Sequence, residues 1–527
     1  MKLKYIYSFL FIILFSGLVF PQFLPNSFFL MQDKKISKLT GNSSISSNSI
    51  SDIITIGDTI WLGTGQGVSY SSNNGDTWTN FTNDKTFGTE SISAIGYYNG
   101  VFWAATAVDT STDQGSMPRG GGLRYTSDGG KNWTSVSEPI DNNNDTIVVY
   151  GKNNLRALPV TITINNLIYD MAFTPGTIWI ATFAGGLRKS TDMGKSWQRV
   201  VLPPDYLDEV KPSDTLNFCM QPVSGSFCDE NNLNYRVFSV VAANDSTLYV
   251  GTADGINKST DNGISWVKFT HANETNPISG NFVVALGYQT FNNTIWAATW
   301  PAEGSSEYYA VSFSSDGGAN WETSLYGEQV HNFGFMGGEN QVIAVSDNGA
   351  FRSENNGSSW TLPNDIIDKT TALTLNTTIF YAASFQNNYV WLGSSDGLAR
   401  LNESGGSVWT GDWKVYFASQ PLISKSDSYA FPNPFNPSTD MLKIKYNISG
   451  TNEPVTIRIF DFGMHYVRTI IQNASRGNSH SVDQSGGVID YWNGKDADGK
   501  TVPNGVYFYR IDAGSQSPIY GKILVIH

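Results

Sequence analysis

Side chains that could bind a ligand or catalyse a reaction gather in two insertions of this 527-residue chain, residues 107–120 and 300–309. The candidate side chains are Asp109, Asp113, Arg119, Trp300, Glu303, Tyr308 and Tyr309. Aromatic and charged groups on long loops are typical of binding sites. Two carboxyl groups that face one cleft can also hydrolyse a glycosidic bond. Ordinary packing of the loops is the alternative interpretation.

A repeated eight-residue motif dominates the rest of the chain. It reads Ser/Thr-x-Asp/Asn-x-Gly-x-x-Trp and occurs six times, first at Ser71–Trp78 and last at Ser353–Trp360. Its Asp or Asn and Trp positions are Asn73 and Trp78, Asp128 and Trp133, Asp192 and Trp197, Asp261 and Trp266, Asp316 and Trp321, and Asn355 and Trp360. In a turn, Asp or Asn accepts backbone N–H bonds, Gly adopts positive φ, and the following Trp can be buried. We therefore predict that the motif builds the fold and does not catalyse.

The motif closes a longer repeated unit. In the stretch before each copy, such as Thr59–Ser71, aromatic and β-branched residues alternate and turn residues separate short strands. A seventh unit, which begins at Tyr389, keeps the strands but ends in a decayed motif at Asn402–Trp409. Four strands per unit and seven units predict an all-β fold, a seven-bladed β-propeller of four-stranded blades over residues 36–415.

The motif resembles the Asp-box, or BNR repeat, of sialidase-like, sortilin-type and xyloglucanase propellers and of a photosystem assembly factor. The resemblance covers residues 50–415 and implies that the Asp-box turns, between strands three and four, lie away from any catalytic centre. Because strand direction alternates, turns between strands two and three and connections between units lie on the opposite face. The two insertions above, together with residues 134–166 and 200–235, are expected on that opposite face, in units two to five.

Catalysis would require features that the sequence does not mark. A sialidase needs an arginine triad, a Tyr nucleophile with a Glu partner, and an Asp. The sialidase Arg-Ile-Pro signature is absent, and Arg124 and Arg188 share one register of the third strand. A xyloglucanase-like enzyme needs two facing acids, and no spacing marks such a pair. His271 and His331 belong to no metal-ligand pattern, so no metal and no cofactor are expected.

The function predicted for this region is therefore non-catalytic. We expect the propeller to bind a glycan or a protein through the loops opposite the Asp-boxes. A glycoside hydrolase of the sialidase-like or xyloglucanase-like type is the alternative, and a structural or assembly role with a protein partner is a third possibility.

The C-terminal region does not continue the repeated pattern of the preceding units. After a polar linker at residues 416–430, alternating segments at 441–448, 455–462, 466–471, 506–513 and 521–527 predict a small Ig-like β-sandwich over residues 431–527. The stretch Phe431–Thr439 and the terminal Lys-Ile-Leu-Val-Ile-His closely resemble the C-terminal sorting domain of type IX secretion, in the version akin to the Ig-like domain of the flagellar hook-capping protein. The resemblance implies a Bacteroidota-type envelope, the type IX secretion machinery as partner, and a secreted or outer-surface location.

The N-terminus, the charge and the cysteines agree with an exported protein. Lys2 and Lys4 precede the apolar run Tyr5–Phe20, which predicts a signal peptide over residues 1–22 and no later membrane span. A net charge of −13 disfavours nucleic acid as a partner. Cys219 and Cys228 are expected to form a disulfide in an oxidising compartment, with a two-cysteine metal site as the alternative.

Overall fold

The computed structural model describes residues 44–113, 115–404, 407–419, 422, 427–448, 452–477 and 487–527. The predicted signal peptide, residues 1–22, and the predicted start of the propeller, residues 36–43, lie outside these described residues. Among the described residues, no helix is long and apolar enough to cross a membrane.

Residues 50–416 form seven sheets in chain order, in which neighbouring strands of the repeated unit run antiparallel. Sheet 1 holds β1 (Ile50–Ile56), β2 (Thr59–Thr64), β3 (Gly67–Ser71) and β4 (Thr79–Phe81), and sheet 2 holds β5 (Ser91–Tyr98), β6 (Val101–Thr112), β7 (Gly115–Thr126) and β8 (Thr134–Val136). An accessory sheet holds β9 (Ile147–Tyr150), β10 (Asn153–Ala157) and, later in the chain, β16 (Cys219–Met220). Sheet 3 holds β11 (Ile168–Thr174), β12 (Thr177–Thr182), β13 (Gly186–Ser190) and β14 (Gln198–Arg199). Sheet 4 holds β17 (Val237–Ala242), β18 (Leu248–Thr252), β19 (Gly255–Ser259) and β20 (Trp266–Phe269), and β15 (Glu209–Val210) extends it. Sheet 5 holds β21 (Phe282–Gln289), β22 (Thr294–Trp300), β23 (Ala310–Ser314) and β24 (Glu322–Ser324). Sheet 6 holds β25 (Val330–Phe335), β26 (Val342–Ser346) and β27 (Gly349–Ser353), and sheet 7 holds β28 (Phe380–Gln386), β29 (Tyr389–Ser394), β30 (Leu398–Glu403) and β31 (Gly411–Tyr416).

The second strand of each sheet carries an anchor side chain that is covered by its cross-strand neighbour. The anchor is aromatic in six sheets, and the neighbour on the third strand is aromatic or cationic in all seven. The pairs are Trp61 and Tyr70, Trp103 and Tyr125, Trp179 and Lys189, Tyr249 and Lys258, Trp296 and Phe313, Ile343 and Arg352, and Trp391 and Arg400. Directly opposed side chains of this kind are the unit of sheet stabilisation, which explains why the sequence repeats them.

The first strands of the seven sheets make a closed ring of contacts. Each first strand packs against the first strands of its two neighbouring sheets, and β1 contacts both β5 and β28. Within the described residues, every one of the seven sheets takes the strands of its repeated unit from one continuous stretch of chain, so the ring closes without strand exchange. The Ala418 N–H donates to Asn48 Oδ1 over 2.7 Å, and the Ser44 hydroxyl donates to the Ser419 carbonyl over 3.2 Å. These bonds join the two ends of the ring.

The six copies of the motif fold into six nearly identical turns, here called the motif turns. In the first, the Ser71 hydroxyl donates to Asn73 Oδ1 over 2.9 Å and accepts the Gly75 N–H over 2.9 Å. Asn73 Oδ1 also accepts the Thr77 N–H over 3.0 Å. Gly75 has a φ of 79°, and a Cβ there would lie 2.6 Å from the Trp391 ring. The corresponding Gly bond measures 2.8–3.0 Å in all six turns, so the motif residues satisfy the turn's own backbone donors.

The motif tryptophans connect neighbouring sheets. Trp133 of sheet 2 lies edge-on to Trp61 of sheet 1, with ring centres 6.1 Å apart, and Trp360 of sheet 6 lies 6.2 Å from Trp296 of sheet 5. At the closing junction, Trp78 of sheet 1 lies 6.4 Å from Trp391 of sheet 7. Trp78, Trp266 and Trp321 are buried, whereas Trp133, Trp197 and Trp360 are half-buried. The motif therefore forms a turn and also places a tryptophan ring between neighbouring sheets.

The motif turns predict a dependence of stability on acid. Hydrogen bonds within the turns lower the pKa values of Asp128, Asp192 and Asp316 to about 2. The same side chains ionise near pH 4 in the unfolded chain, so their stabilisation is complete above about pH 4 and is lost as the pH falls towards 2. Denaturant unfolding at pH 6 and pH 3 is expected to show this loss. The triple change to Asn should make the loss smaller, because Asn73 and Asn355 accept the same N–H bonds. An equal loss in both proteins would contradict the assignment.

Two parts of the seven units depart from the predicted pattern. Sheet 6 has three strands, and its fourth position is reduced to a single bridge between Arg352 and Thr361. Pro363, two residues after Thr361, has no N–H to extend the ladder. The predicted insertion at residues 107–120 is not an irregular loop, since residues 107–112 of β6 pair with residues 115–120 of β7 in a long hairpin that ends with Thr112 opposite Gly115.

The C-terminal domain consists of two sheets that enclose one apolar core. The first holds β32 (Ser428–Phe431), β33 (Leu442–Tyr446) and β36 (Val488–Trp492), and the second holds β34 (Glu453–Phe460), β35 (Tyr466–Arg476), β37 (Gly505–Ala513) and β38 (Ile519–Val525). Residues 428–430, assigned to the linker from the sequence, are part of β32. Ile444, Tyr446, Ile457 and Ile511 belong to the core and have no exposed surface.

Candidate functional site

The two ends of the ring carry different turns. At one end, the motif turns lie beside the turns between first and second strands, as the bond from the Asn74 N–H to the Asp58 carbonyl shows. At the other end, the turns between second and third strands bond to the segments that enter the next sheet, as from the Gly67 N–H to the Glu90 carbonyl over 2.9 Å. We call this second end the loop face. Residues 107–120 and 300–309 connect second to third strands, so both lie on it.

The structure places the candidates in residues 300–309 in different environments. Trp300 is 5% exposed, and its indole N–H donates to the Val330 carbonyl over 3.1 Å. Tyr309 is half-buried, with its ring centre 5.5 Å from that of Trp300. Tyr308 instead lies 4.8 Å from Tyr326, which is 78% exposed. Trp300 and Tyr309 are therefore part of the packing between sheets 5 and 6, and Tyr308 lies at the surface.

The acidic groups of the same segment also differ in role. Glu303 is exposed. Glu307, which the sequence analysis did not single out, accepts the N–H groups of Asn281, Ala302 and Gly304 over 2.7–2.9 Å and so fixes the loop. Of the two carboxylates, Glu303 is the one that a ligand could reach from solvent.

The remaining candidates lie on the hairpin of sheet 2. Asp109 is half-buried opposite Pro118, while Asp113 and Arg119 are exposed. The base of the hairpin is held in place because the Gly120 N–H donates to the Thr163 carbonyl over 3.1 Å. Sheet 2 and sheet 5 are three positions apart in the ring. The predicted residues thus stand on opposite sides of the loop face and do not form one compact cluster.

A network of buried charges supports the hairpin from below. Glu138 Oε2 accepts the Gly122 N–H over 3.0 Å, and Oε1 accepts from the Asn166 amide over 3.2 Å. Burial raises the pKa of Glu138 to about 8. Both guanidinium NH groups of Arg188 donate to Asp141 over 2.7 and 2.8 Å. Residues 134–166 were predicted to be a connection on the loop face. Glu138, Asp141 and Asn166 support the base of the hairpin, whereas the Tyr150 hydroxyl of β9 donates to the Ile264 carbonyl in the motif turn of sheet 4, so part of this connection reaches the other end of the ring.

The other long connection, residues 200–235, carries the two cysteines. It was predicted to lie on the loop face, but β15 extends the outer edge of sheet 4 and Lys211 lies beside the motif turns of sheets 4 and 5, so that prediction is wrong for this part of the connection. Cys219 and Cys228 form a disulfide, and Cys219 belongs to β16, which pairs with β10 of the accessory sheet. The buried Gln221 amide donates to the Cys228 carbonyl over 2.7 Å. The disulfide thus closes a short loop beside the accessory sheet.

Between these elements lies a row of aromatic rings that sequence reasoning missed. Successive ring centres are 5.4 Å apart for Tyr169 and Phe238, 4.7 Å for Phe238 and Phe282, and 6.2 Å for Phe282 and Trp300. Phe183 joins the row 6.0 Å from Phe238. We call these five rings the aromatic floor. Phe183 and Phe282 are half-buried and the other three are buried.

A bulge in the first strands of sheets 3 and 4 positions two rings of the floor. The register of all seven first strands shifts at one place near the loop face, and Tyr169 and Phe238 are the unpaired residues in sheets 3 and 4. A bulge re-aims the side chain of the extra residue. Aligning the first strands of the seven units would have exposed the signal, because an aromatic residue recurs near the start of β11, β17 and β21.

Most of the cationic and acidic side chains around the aromatic floor are hydrogen-bonded to or paired with other groups of the protein. Arg236 lies with its guanidinium 5.8 Å above the Phe183 ring and donates from Nε to the Pro222 carbonyl over 2.8 Å. In the turns between second and third strands, Asp254 lies 2.5 Å from Lys268 Nζ, and Asp347 lies 2.8 Å from His331 Nε2. These acids are committed to structural pairs.

Two carboxyl groups follow the bulges on the inner side of the ring. Asp170 accepts the Met171 N–H over 2.7 Å and the Val240 N–H over 2.9 Å, and burial raises its pKa to about 7. Burial likewise raises the pKa of Asp52 to about 6. Among the described residues, no group of three or more His, Cys, Asp or Glu side chains is arranged to hold a metal ion.

The arginines that a sialidase-like triad would use have separate partners. Arg124 pairs with Glu90 at 3.3 Å, whereas Arg188 is bound to Asp141. Arg352 donates to both carboxylate oxygens of Glu403 over 2.7 and 2.9 Å. Each arginine thus joins its third strand to a neighbouring segment of its own.

A cleft of about 310 Å³ lies on the other side of the ring, between the motif turns of sheets 4 and 5. Lys211, Lys258, Trp266 and Asp316 are among its lining residues. Lys258 Nζ donates to the Gly317 carbonyl over 2.7 Å, and Asp316 is used by its own turn. The polar side chains of the cleft are therefore largely used in hydrogen bonds within the protein.

Comparison with known proteins gives no family model and no curated protein that matches the sequence. Among solved structures, the GH74 xyloglucanase from Xanthomonas campestris aligns at 12% identity over 77% of this chain and 59% of that one, with a TM-score of 0.50. An ancestral GH74 enzyme aligns at 15% identity over 91% and 62%, also with a TM-score of 0.50. PorZ, a surface component of the type-IX secretion system of Porphyromonas gingivalis, aligns at 15% identity over 89% and 64%, with a TM-score of 0.36.

This chain spans less than two thirds of the length of each of these structures, namely 64%, 59% and 62%. The TM-score to PorZ is too low to support any inference. At 12% and 15% identity, the likeness to the two GH74 enzymes is one of fold alone. The ring of antiparallel sheets is accordingly a β-propeller.

Proposed function

We propose that this protein is an exported, non-catalytic seven-bladed β-propeller whose loop face binds a glycan, followed by an Ig-like sorting domain. The observation that carries the binding proposal is the aromatic floor, which lies among the long loops of sheets 2–5 on a rigid scaffold. Seven sheets in a closed ring support the blade number, and two packed sheets around one core support the Ig-like domain.

The chemistry of the loop face suits a carbohydrate. Phe183 and Phe282 are half-buried, so each ring presents one part to the core and one part outward. Binding sites of this kind are mostly apolar and use a few polar groups for orientation. The exposed side chains of Asp113, Arg119 and Glu303 supply both donors and acceptors around the rim. A sugar would lie with its C–H face on the rings and its hydroxyl groups towards the rim.

The acids near the floor favour binding over hydrolysis. A glycosidase needs one carboxyl group that gives a proton and a second one that acts as base or nucleophile. Asp170 has a raised pKa, but both of its oxygens accept backbone N–H bonds. Asp254 is paired with Lys268, and Asp347 is hydrogen-bonded to His331. A glycoside hydrolase remains the alternative, and turnover would distinguish it.

Export is supported by sequence and by the cysteines. Residues 1–22 have the pattern of a signal peptide, and residues 431–527 resemble a type IX sorting domain, which makes that secretion machinery the expected partner. A disulfide between Cys219 and Cys228 is typical of proteins that function in oxidising surroundings. We therefore propose that the protein is secreted or lies on the outer cell surface.

The test is a matched pair of phenylalanine variants of the full chain. Affinity electrophoresis in gels that contain xyloglucan, solubilised chitin or mucin measures retardation of the protein. Phe183→Ala is expected to weaken the retardation by about tenfold or more, because it removes the half-buried ring beside Arg236. Phe291→Ala is the control, since this ring is 53% exposed in the turn between β21 and β22, at the opposite end of sheet 5. Equal retardation of both variants would contradict the assignment of the site.

A further inference from the structure

The C-terminal domain packs against sheet 7 around one buried ion pair. Lys443 Nζ, from β33, lies 2.5 and 2.6 Å from the two carboxylate oxygens of Asp396. Asp396 stands in the turn between β29 and β30, so the contact is on the loop face. The Lys443 side chain has no exposed surface, and Asp396 retains 18%. The pair is therefore almost completely removed from solvent.

Apolar and aromatic groups from both domains surround this pair. Lys443 Nζ lies 4.7 Å from the ring centre of Phe417 and 5.9 Å from that of Phe431. Phe431 and Ile489 of the C-terminal domain share one buried cluster with Phe417 and Leu373 of the propeller. An apolar centre that also satisfies its charges is typical of a specific protein interface.

A polar contact extends the interface beyond the cluster. The Thr374 N–H, in the connection between sheets 6 and 7, donates to the Tyr491 hydroxyl over 3.2 Å. Tyr491 belongs to β36, which pairs with the strand that carries Lys443. The C-terminal domain thus contacts the turn of sheet 7 and the connection between sheets 6 and 7.

Comparison with sheet 4 shows that sheet 7 has no cation at the position that Lys268 occupies in sheet 4. Asp254 occupies the same turn position in sheet 4 as Asp396 does in sheet 7, and Lys268 of β20 pairs with it at 2.5 Å. Lys268 lies opposite Asn257, two residues after the turn's Gly. The same position in sheet 7 is Val415, opposite Ala399. In sheet 7 the cation that pairs with Asp396 is Lys443 of the C-terminal domain, whereas in sheet 4 the cation that pairs with Asp254 is Lys268 of the sheet's own strand β20.

We propose that Asp396 and Phe417 form a docking socket for Lys443, and that the C-terminal domain is a noncovalent partner of the propeller that stays bound when the connecting segment is cut. Removing one member of a buried ion pair leaves an uncompensated buried charge, which is strongly unfavourable. The socket thus binds the domain specifically through one lysine, and the apolar cluster adds contact area. This inference is independent of glycan binding.

The experiment uses the full chain with a site for a specific protease inserted between residues 420 and 426. After cleavage, size-exclusion chromatography at micromolar protein is expected to show the two fragments in one peak. In Asp396→Asn, the dissociation constant should rise by about 100-fold or more, and the fragments should separate. Asp254→Asn is the matched control, because it changes the same turn in sheet 4, and its fragments should stay together.

A second variant keeps the test decisive if Asp396→Asn folds poorly. Lys443→Met changes the other fragment and should produce the same separation, with the fold of the uncut protein checked by its thermal melting curve. Separation of the unmodified fragments would overturn the proposal. Wild-type affinity in either Asp396→Asn or Lys443→Met would overturn the role of the ion pair.

Discussion

Trp78→Ala is expected to lower the free energy of unfolding by about 3–5 kcal/mol, as large-to-small changes of buried tryptophans do. Trp78 is 1% exposed and lies between the first and last sheets of the ring, 6.4 Å from Trp391 and 5.8 Å from Tyr416. No backbone pairing joins these two sheets within the described residues, so side chains must hold the closing junction. Chemical denaturation followed by tryptophan fluorescence and circular dichroism measures the change.

The matched control for this prediction is Trp133→Ala. Trp133 has the same place in its motif but is half-buried, and it stands between sheets 1 and 2, which follow each other directly along the chain. Its loss should be smaller than that of Trp78 by at least about 1 kcal/mol, because less apolar surface leaves the solvent. Equal losses would contradict the view that the closing junction depends on Trp78.

Arg188→Met is the second change with a large expected effect, again about 3–5 kcal/mol of unfolding free energy. Burial alone would raise the pKa of Asp141, but the hydrogen bonds and charge of Arg188 lower it below its ordinary value. Methionine fills similar volume and removes the charge, which leaves Asp141 buried with Arg199 at 3.8 Å as its remaining cation. The floor of the sheet 2 hairpin should loosen as a result. Hydrogen exchange of the backbone amides of residues 137–166 measures this local loosening, and chemical denaturation measures the change in unfolding free energy.

Arg510→Met serves as the control for Arg188→Met. Arg510 also pairs with an aspartate, Asp512, at 2.7 Å, but its side chain is 39% exposed. Exposed pairs contribute little to stability, so this change should be nearly neutral. If Arg188→Met were equally mild, the buried network would not support the hairpin as described.

Sequence patterns over a few residues predicted the parts of the fold that depend on short-range contacts, namely the turns and most of the strands. The motif turns follow from Ser or Thr, Asp or Asn, and Gly at fixed spacing, since each bond in the turn joins residues two to four positions apart. The strands of each unit follow from alternation and from the Gly and Asn residues between them. The missing fourth strand of sheet 6 was not predicted, because the repeat pattern assigned four strands to every unit; Pro363 is the residue that could have signalled it.

The candidate site was harder to predict because it depends on distant contacts. Trp300 looked like a loop aromatic, yet it is the last residue of β22 and is buried by Phe282 and His331 of neighbouring strands. Two rings of the aromatic floor, Tyr169 and Phe238, belong to residues that are unpaired at bulges, and a bulge cannot be read from one strand alone. β32 and β36 were missed in the C-terminal domain for a related reason, since each is short and gains its partner only through β33.

The measurement that tests the central claim most directly is a combined assay of retention and turnover with the purified full chain. Xyloglucan, solubilised chitin and mucin would be tested in affinity gels, and chromogenic glycosides and the same polymers would be tested for released product. The account predicts retardation by at least one polymer and no product above that of a sample without protein. Product release that is abolished by one change of an Asp or Glu on the loop face would contradict it and identify a hydrolase.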